Sequence, residues 1–261
     1  MKKNPLGQTG LQVSELCLGT MTFGTQTRTK EAHSQIEFAL DHGINFFDTA
    51  EMYPVNPVSA ETIGRTERII GLWFEKSFRR NEVILATKHS GAGLKHVRDG
   101  EPITKDTVRT ALEGSLRRLK TDHVDLYQLH WPNRGSYHFR QNWSFEPQKQ
   151  ETTKELDTMA EILEALEAEV KRGTMRHFGV SNESAWGTMQ WLRLAGEGKG
   201  PRVASIQNEY SLLCRMFDTD LAELCHHEHI GLLAYSPLAA GLLTGKYQGR
   251  AVPKGSRMSL V

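Results

Sequence analysis

Short apolar runs and longer amphipathic stretches alternate along the chain. Residues 44–48 form a short, bounded apolar run, which is typical of a buried parallel strand. The stretch before it repeats apolar residues on one helical face and ends at Gly43, where a left-handed residue is favoured. The same change of period recurs to residue 235 and predicts seven strands separated by helices, the strands being 15–21, 44–48, 83–87, 124–129, 175–180, 203–207 and 232–235.

Regular alternation of strand and helix predicts a parallel sheet, either doubly wound or closed as a barrel. No GxGxxG turn follows the first predicted strand, which disfavours the Rossmann alternative. The connections after strands are long at 49–65, 89–104 and 131–155, whereas the joints from helix to strand are tight. Barrel enzymes build active sites on the first kind of loop. We therefore predict one α/β domain over residues 1–261.

The charge balance argues against nucleic-acid and membrane-surface partners. Lys and Arg number 32 against 31 Asp and Glu, for a net charge of +1, and such partners need a large field of one sign. The hydrophobic fraction of 38% allows a packed core. Three cysteines make a disulfide framework implausible, and no apolar signal-peptide core follows Met1. We expect a soluble cytoplasmic protein.

Polar residues stand at the ends of neighbouring predicted strands. Asp48 ends the second strand and Tyr53 lies five residues later, while Lys88 ends the third strand and His130 the fourth. Because the carboxyl ends of parallel strands share one face, these four side chains can converge. Singly, such an Asp is more often a loop cap and such a His more often a core residue. Together the four predict a proton-transfer site.

The four residue types fit a site that reduces a carbonyl group. A phenol with a pKa of about 10 is a poor acid at neutral pH unless its anion is stabilised, and an adjacent ammonium does this. We therefore expect Lys88 to lower the pKa of Tyr53. Asp48 would hold Lys88 charged, and His130 would donate to a substrate oxygen or orient it. Such a site stabilises an alkoxide.

Ordered motifs in the sequence resemble the aldo-keto reductase superfamily. The motifs are DTAEMY at 48–53, TK at 87–88, LHWP at 129–132 and GVSN at 179–182. The segments LGTMTFG at 18–24, YSPL at 235–238 and GLLTGKY at 241–247 are similar to a bacterial branch near Tas-type reductases and potassium-channel β subunits. The resemblance extends from about residue 5 to about residue 250.

The resemblance implies a (β/α)8 TIM barrel, NADP(H) as cofactor and a small carbonyl compound as substrate. It assigns Tyr53 as general acid, with Asp48, Lys88 and His130 as its partners. It implies that Tyr235 stacks on the nicotinamide ring, although core packing is the alternative for this residue. The other cofactor-binding residues that it implies are Ser181, Asn182 and Gln207 at the nicotinamide amide, Ser236, Leu238, Gly241 and Lys246 at the pyrophosphate, and Gly19, Thr20, Met21 and Pro237.

The chain departs from the family pattern at its carboxyl end. Family members continue with an eighth strand and a last helix, whereas this sequence stops at Val261, soon after the seventh predicted strand. We expect the last β/α unit of the barrel to be missing, which leaves two strand edges open. A truncated sequence and a gap filled by a partner chain are both compatible with this, and a homo-oligomer stays open.

Three further features have more than one interpretation. Cys225 and His229 are four residues apart and would share a helix face as metal ligands, but we expect a solvated surface and no metal. The aromatic residues of 131–145 either wall a substrate pocket or pack a long loop. The alternative to an enzyme is an NADP(H)-binding regulatory or interaction subunit with little turnover.

Overall fold

The computed structural model of the chain describes residues 1–259. It opens with an antiparallel hairpin of β1 (Lys3–Pro5) and β2 (Gln12–Ser14). The later strands and α-helices are β3 (Cys17–Gly19), α1 (Thr29–Asp41), β4 (Phe46–Asp48), α2 (Arg65–Ser77), β5 (Ile84–His89), α3 (Lys105–Leu119), β6 (Val124–Leu129), α4 (Thr152–Arg172), β7 (Met175–Ser181), α5 (Ala185–Gly196), β8 (Val203–Glu209), α6 (Asp220–His227) and β9 (Gly231–Tyr235).

Strands β3 to β9 form one parallel sheet of seven strands whose spatial order is their order along the chain. This curled, sequential α/β sheet confirms the seven predicted strands and the parallel pairing. The parallel sheet has no eighth strand in residues 1–259. Its outer strands, β3 and β9, therefore each pair on one side only in this part of the chain. The carboxyl ends of the strands lie on one face, which is where the long connections begin.

Helix α4 shows how the sequence specifies these elements. Its apolar residues Met159, Ile162 and Leu166 are buried against the sheet, which is the amphipathic pattern of a surface helix. The helix ends at Gly173, whose φ of 77° lies in the left-handed region that glycine adopts without strain. Two cations in the last turn face the negative end of the helix dipole.

The start of α5 differs from the sequence-based prediction. Ser181 and Asn182 are residue types that favour helix caps and follow the apolar run of the strand, which predicts a cap at one of them, but Ser181 ends β7 and Asn182 follows it directly. The cap is Ser184, whose hydroxyl accepts a 3.1 Å hydrogen bond from the Gly187 N–H. Strand β7 is therefore longer than its apolar run, and Ser181 and Asn182 lie at the carboxyl end of the sheet.

The connections after β4, β5 and β6 are long and hold only turns and 3-10 segments. They cover the face on which the four strand-end residues lie, as expected for the loops that build a site. In the part of the chain that the structure describes, no helix has the length and apolarity to cross a membrane.

Candidate active site

The strand ends bring the four predicted polar residues together. Asp48 is the last residue of β4, Lys88 is the fifth of six residues in β5, and His130 directly follows β6. Tyr53 lies in the connection after β4, where its N–H donates to the Ala50 carbonyl and forms a turn. All four residues are buried.

The Lys88 ammonium is the centre of the site. Its Nζ lies 2.6 Å from Asp48 Oδ2 and 3.3 Å from the Tyr53 hydroxyl. It also donates to the Thr49 carbonyl over 2.8 Å. The ammonium thus uses all three of its protons within the protein. This arrangement places a fixed cation beside a phenol, as the sequence predicted.

Two amide side chains hold the second oxygen of Asp48. Gln128 Nε2 and Gln207 Nε2 donate to Asp48 Oδ1 over 3.1 and 2.9 Å. The sequence analysis missed Gln128, which pairs in register with Lys88 on the neighbouring strand. The available signal was its position two residues before His130, since alternate strand residues share a face. The two amides therefore orient the Asp48 carboxylate independently of Lys88.

Burial and nearby charges set the protonation of Lys88 and Tyr53. Desolvation alone would lower the pKa of Lys88, but Asp48 and Tyr53 outweigh it and the pKa lies above its usual value. Burial raises the pKa of Tyr53, and the nearby Asp48 adds to this, so the lowering by Lys88 is outweighed. The expected lowering by Lys88 is therefore present, but it does not bring the pKa of Tyr53 below its usual value. The ground state is an ammonium beside a neutral phenol, with its proton in place.

His130 completes the group of four. Its ring lies 5.7 Å from the Tyr53 ring, centroid to centroid, at an interplanar angle of 78°. Burial, with the nearby Lys88 cation, holds the pKa of His130 well below its usual value, so the imidazole is neutral. Its buried Nδ1 has no hydrogen-bond partner within residues 1–259. A neutral imidazole can orient a substrate oxygen without adding charge.

The residues expected at a nicotinamide amide form a connected network. The Ser181 hydroxyl donates to the Gln207 carbonyl over 2.8 Å. The Asn182 amide donates to the His130 carbonyl over 2.9 Å and accepts from the Tyr235 hydroxyl over 2.7 Å. These four residues therefore lie at adjoining strand ends beside His130. Tyr235 is half-buried at the end of β9.

The segment after β9 carries the residues expected at a pyrophosphate. Gly241 has a φ of 101°, which favours glycine, and a Cβ there would lie 3.5 Å from Lys246 Nζ. Lys246 is exposed and forms no ion pair within the described chain. Ser236 also has a positive φ, and Pro237 and Leu238 are exposed. A free cation beside a bare backbone is a suitable environment for phosphate.

The first strand end contributes less directly. Gly19 ends β3 opposite Asp48, and the Thr20 hydroxyl donates to the Asp48 carbonyl over 2.8 Å. Met21 packs against the cluster that contains Tyr53. Thr20 is thus tied to the backbone of the site, while Gly19 is exposed.

The alternative metal ligands do not share a helix face. Helix α6 ends at His227, and His229 lies beyond it with a φ of 52°. Within residues 1–259 no three His, Cys, Asp or Glu side chains are close enough to hold a metal ion.

The aromatic residues of 131–145 differ in their surroundings. Trp131 donates to the Ala92 carbonyl and packs beside His130, whereas Trp143 is 94% exposed.

Comparisons with known proteins find a matching family model and several similar proteins. The sequence model of the aldo/keto reductase family matches residues 15–259. Protein tas of Escherichia coli is 42% identical over 266 residues, which cover 100% of this chain and 75% of that protein. An uncharacterized oxidoreductase of Bacillus subtilis is 38% identical over 251 residues, 94% of this chain and 69% of that protein. A probable voltage-gated potassium channel subunit beta of Arabidopsis thaliana is 31% identical over 277 residues, 100% of this chain and 71% of that protein.

Proposed function

The chain belongs to the aldo/keto reductase family, and from this premise we propose that it reduces an aldehyde or ketone with NADPH, with Tyr53 as general acid. The observation that carries the proposal is the position of Lys88 Nζ, 2.6 Å from Asp48 and 3.3 Å from the Tyr53 hydroxyl. A fixed cation next to a protonated phenol favours the phenolate that remains after proton donation.

The side chains divide the work of reduction. When bound, NADPH supplies a hydride to the carbonyl carbon. Tyr53 donates its phenolic proton to the carbonyl oxygen, which becomes the hydroxyl of the product. Lys88 stabilises the remaining phenolate across 3.3 Å, and Asp48 keeps Lys88 charged and in place. The neutral His130 imidazole orients the carbonyl oxygen.

The surrounding residues fit this cofactor. Ser181, Asn182 and Gln207 offer hydroxyl and amide groups that match a carboxamide, and Tyr235 offers an aromatic face for its ring. Lys246 and the backbone at Gly241 suit the pyrophosphate, together with Ser236, Pro237 and Leu238. Gly19, Thr20 and Met21 complete the proposed cofactor-binding set at the first strand end. The unpaired Lys246 supports this assignment, since an exposed cation is free to meet a phosphate.

A Tyr53→Phe variant tests the proposal. The purified chain is titrated with NADPH through its Trp fluorescence and assayed with an aromatic aldehyde such as 4-nitrobenzaldehyde. We expect the variant to bind NADPH with a Kd within about two-fold of wild type and to lose at least about 100-fold in kcat, since general acid catalysis contributes about 10²–10⁴-fold. The matched control is Tyr127→Phe, because Tyr127 is fully buried in β6 outside this group of four. Equal turnover by Tyr53→Phe and wild type would disprove the role of Tyr53.

A second candidate is an NADP(H)-binding regulatory subunit with little turnover. The similarity to a probable potassium channel subunit beta over the whole chain favours it. Saturable NADPH binding without reduction of any carbonyl in a broad panel would support this candidate over the enzyme. Turnover that depends on Tyr53 would exclude it.

A further inference from the structure

A second buried ion pair lies beside the site and has no part in the mechanism above. The Glu51 carboxylate and the Arg98 guanidinium are 2.5 Å apart, and the Glu51 side chain is only 6% exposed. Arg98 comes from the long connection after β5, whereas Glu51 lies in the DTAEMY motif, two residues before Tyr53. The pair therefore joins the two connections that follow β4 and β5.

Glu51 is bonded to the end of β5 through both its backbone and its side chain. Its N–H donates to the Lys88 carbonyl over 3.2 Å. Its Oε1 accepts from the Ser90 N–H over 2.6 Å. These two bonds reach the backbone on either side of His89, directly after Lys88, and fix the turn that carries Tyr53 against the strand that carries the ammonium.

Arg98 closes the same junction from the other side. Besides Glu51, it donates to the Ser90 carbonyl over 3.0 Å, and its Nη2 lies 3.1 Å from His89 Nδ1. Burial raises the pKa of Glu51, but His89 and Arg98 outweigh it and leave the pKa below its usual value. The carboxylate is therefore charged, and its position depends on the guanidinium that pairs with it.

We propose that Glu51, held by Arg98, is a positioning residue that keeps the Tyr53 hydroxyl within hydrogen-bonding distance of Lys88. This inference rests on the proposed reductase function. The contact between Tyr53 and Lys88 is the longest of the three that the ammonium makes, at 3.3 Å. Because a donor–acceptor distance of about 3.6 Å no longer makes a hydrogen bond, a small shift of the Tyr53 turn would break it. A misplacement of about 1 Å can cost about 100-fold in rate.

The chain offers a matched control on the outer side of β5. Glu67 is a fully buried carboxylate that pairs with Arg118 over 2.6 Å and accepts from the Thr87 hydroxyl over 2.6 Å. It resembles Glu51 in burial and in its arginine partner, but it contacts the Thr87 side chain of β5 rather than the backbone of Lys88 and Ser90. We therefore expect both Glu51→Gln and Glu67→Gln to lose stability. Only Glu51→Gln should disturb the position of Tyr53 relative to Lys88.

The first readout is catalytic. With NADPH and 4-nitrobenzaldehyde, we expect Glu51→Gln to lower kcat by about 10- to 100-fold, while KM and the NADPH Kd stay within two-fold. The solvent deuterium isotope effect on kcat should rise, because proton donation becomes slower. Glu67→Gln should leave kcat and the isotope effect unchanged. Equal kcat losses in the two variants, or a loss confined to KM, would overturn the proposal.

The second readout does not depend on turnover. Chain labelled with [¹³Cζ]tyrosine gives one resonance per tyrosine, and Tyr53→Phe identifies the Tyr53 signal. We expect this signal to shift in Glu51→Gln and in Arg98→Met but not in Glu67→Gln. An unshifted signal in folded Glu51→Gln would overturn the proposal. Failure of the wild type to reduce any carbonyl would contradict the reductase function alone.

Arg98→Met provides a second test of the proposal if Glu51→Gln does not fold. Arg98 lies in a loop and is partly exposed, so its replacement disturbs the core less than a change at Glu51. We expect the same fall in kcat and the same shift of the Tyr53 resonance, because the carboxylate loses the cation that holds it. Unchanged kcat and resonance in folded Arg98→Met would overturn the role of the pair.

Discussion

Lys88 and Asp48 form an ion pair with a Nζ–Oδ2 distance of 2.6 Å, at a point where the Lys88 side chain has no solvent exposure. Removing such an ammonium from water is costly, so its charge depends on the carboxylate. The two partners are not equivalent. Asp48 keeps the amide donors of Gln128 and Gln207 when the ammonium is removed, whereas Lys88 keeps no carboxylate when Asp48 is removed.

This difference between Asp48 and Lys88 predicts that a double variant is more stable than one of its single variants. We expect Asp48→Asn to lower the free energy of unfolding by about 3–5 kcal/mol, because it leaves a buried ammonium without a countercharge. The double variant Asp48→Asn/Lys88→Met should be more stable than Asp48→Asn alone, because it removes that ammonium. Urea unfolding of wild type, both single variants and the double variant, followed by circular dichroism, measures the coupling. Strictly additive losses would contradict this account of the pair.

The protonation of Tyr53 and His130 predicts a flat pH profile for reduction. The pKa of Tyr53 lies above its usual value of 10.0, so the phenol keeps its proton through the neutral range. The pKa of His130 lies well below its usual value of 6.5, so the imidazole stays neutral there. We therefore expect kcat/KM to be constant from about pH 6.5 to about pH 9. Initial rates across this range measure it, and an inflection near pH 7 would be inconsistent with both assignments.

The sequence predicted positions in this site better than it predicted environments. Apolar periodicity located the strand ends and so placed Asp48, Lys88 and His130 on one face. The cation beside Tyr53 is predictable from the strand ends, but the desolvation that outweighs its effect on the pKa of Tyr53 depends on packing by distant segments. Glu51 belongs to the DTAEMY motif, but no local pattern indicates its role, since its partner Arg98 lies 47 residues away in an irregular loop.

The start of α5 differs from the prediction for a related reason. Ser181 and Asn182 are good capping residues by type, and the apolar run of the strand ends before them. In the fold, Ser181 continues the ladder opposite Gln207. Pairing with a neighbouring strand, which no local pattern records, decides where β7 ends. Similarly, the eighth strand of a complete barrel is known only from the family resemblance, since residues 1–259 form seven strands of the parallel sheet.

Tyr235 allows the stacking and hydrogen-bonding parts of cofactor binding to be separated. Tyr235→Phe removes the 2.7 Å bond to Asn182 but keeps an aromatic ring. We expect this change to weaken NADPH binding by less than about five-fold, and Tyr235→Ala to weaken it by at least about ten-fold, because the ring contact is lost as well. Fluorescence titration with NADPH measures both. Equal Kd values for wild type and Tyr235→Ala would show that this ring does not contact the nicotinamide.

His89 predicts how stability falls in acid. It is fully buried, and burial, with the nearby Arg98 cation, lowers its pKa from 6.5 to about 4. The unfolded chain therefore takes up a proton at His89 before the folded chain does. The stability associated with the neutral imidazole is complete above pH 6.5 and is lost as the pH falls towards 4, by up to about 3 kcal/mol.

The His89→Asn variant isolates this contribution, since His130, His138 and His177 also have lowered pKa values and add losses of the same sign. We expect the free energy of unfolding of the variant to fall less steeply than that of wild type between pH 6.5 and pH 4, whatever its stability at neutral pH. Urea unfolding at half-unit pH steps gives both slopes. Parallel slopes would mean that the imidazole of His89 is protonated equally in the folded and unfolded chains, and hence that the junction around Glu51 and Arg98 admits water.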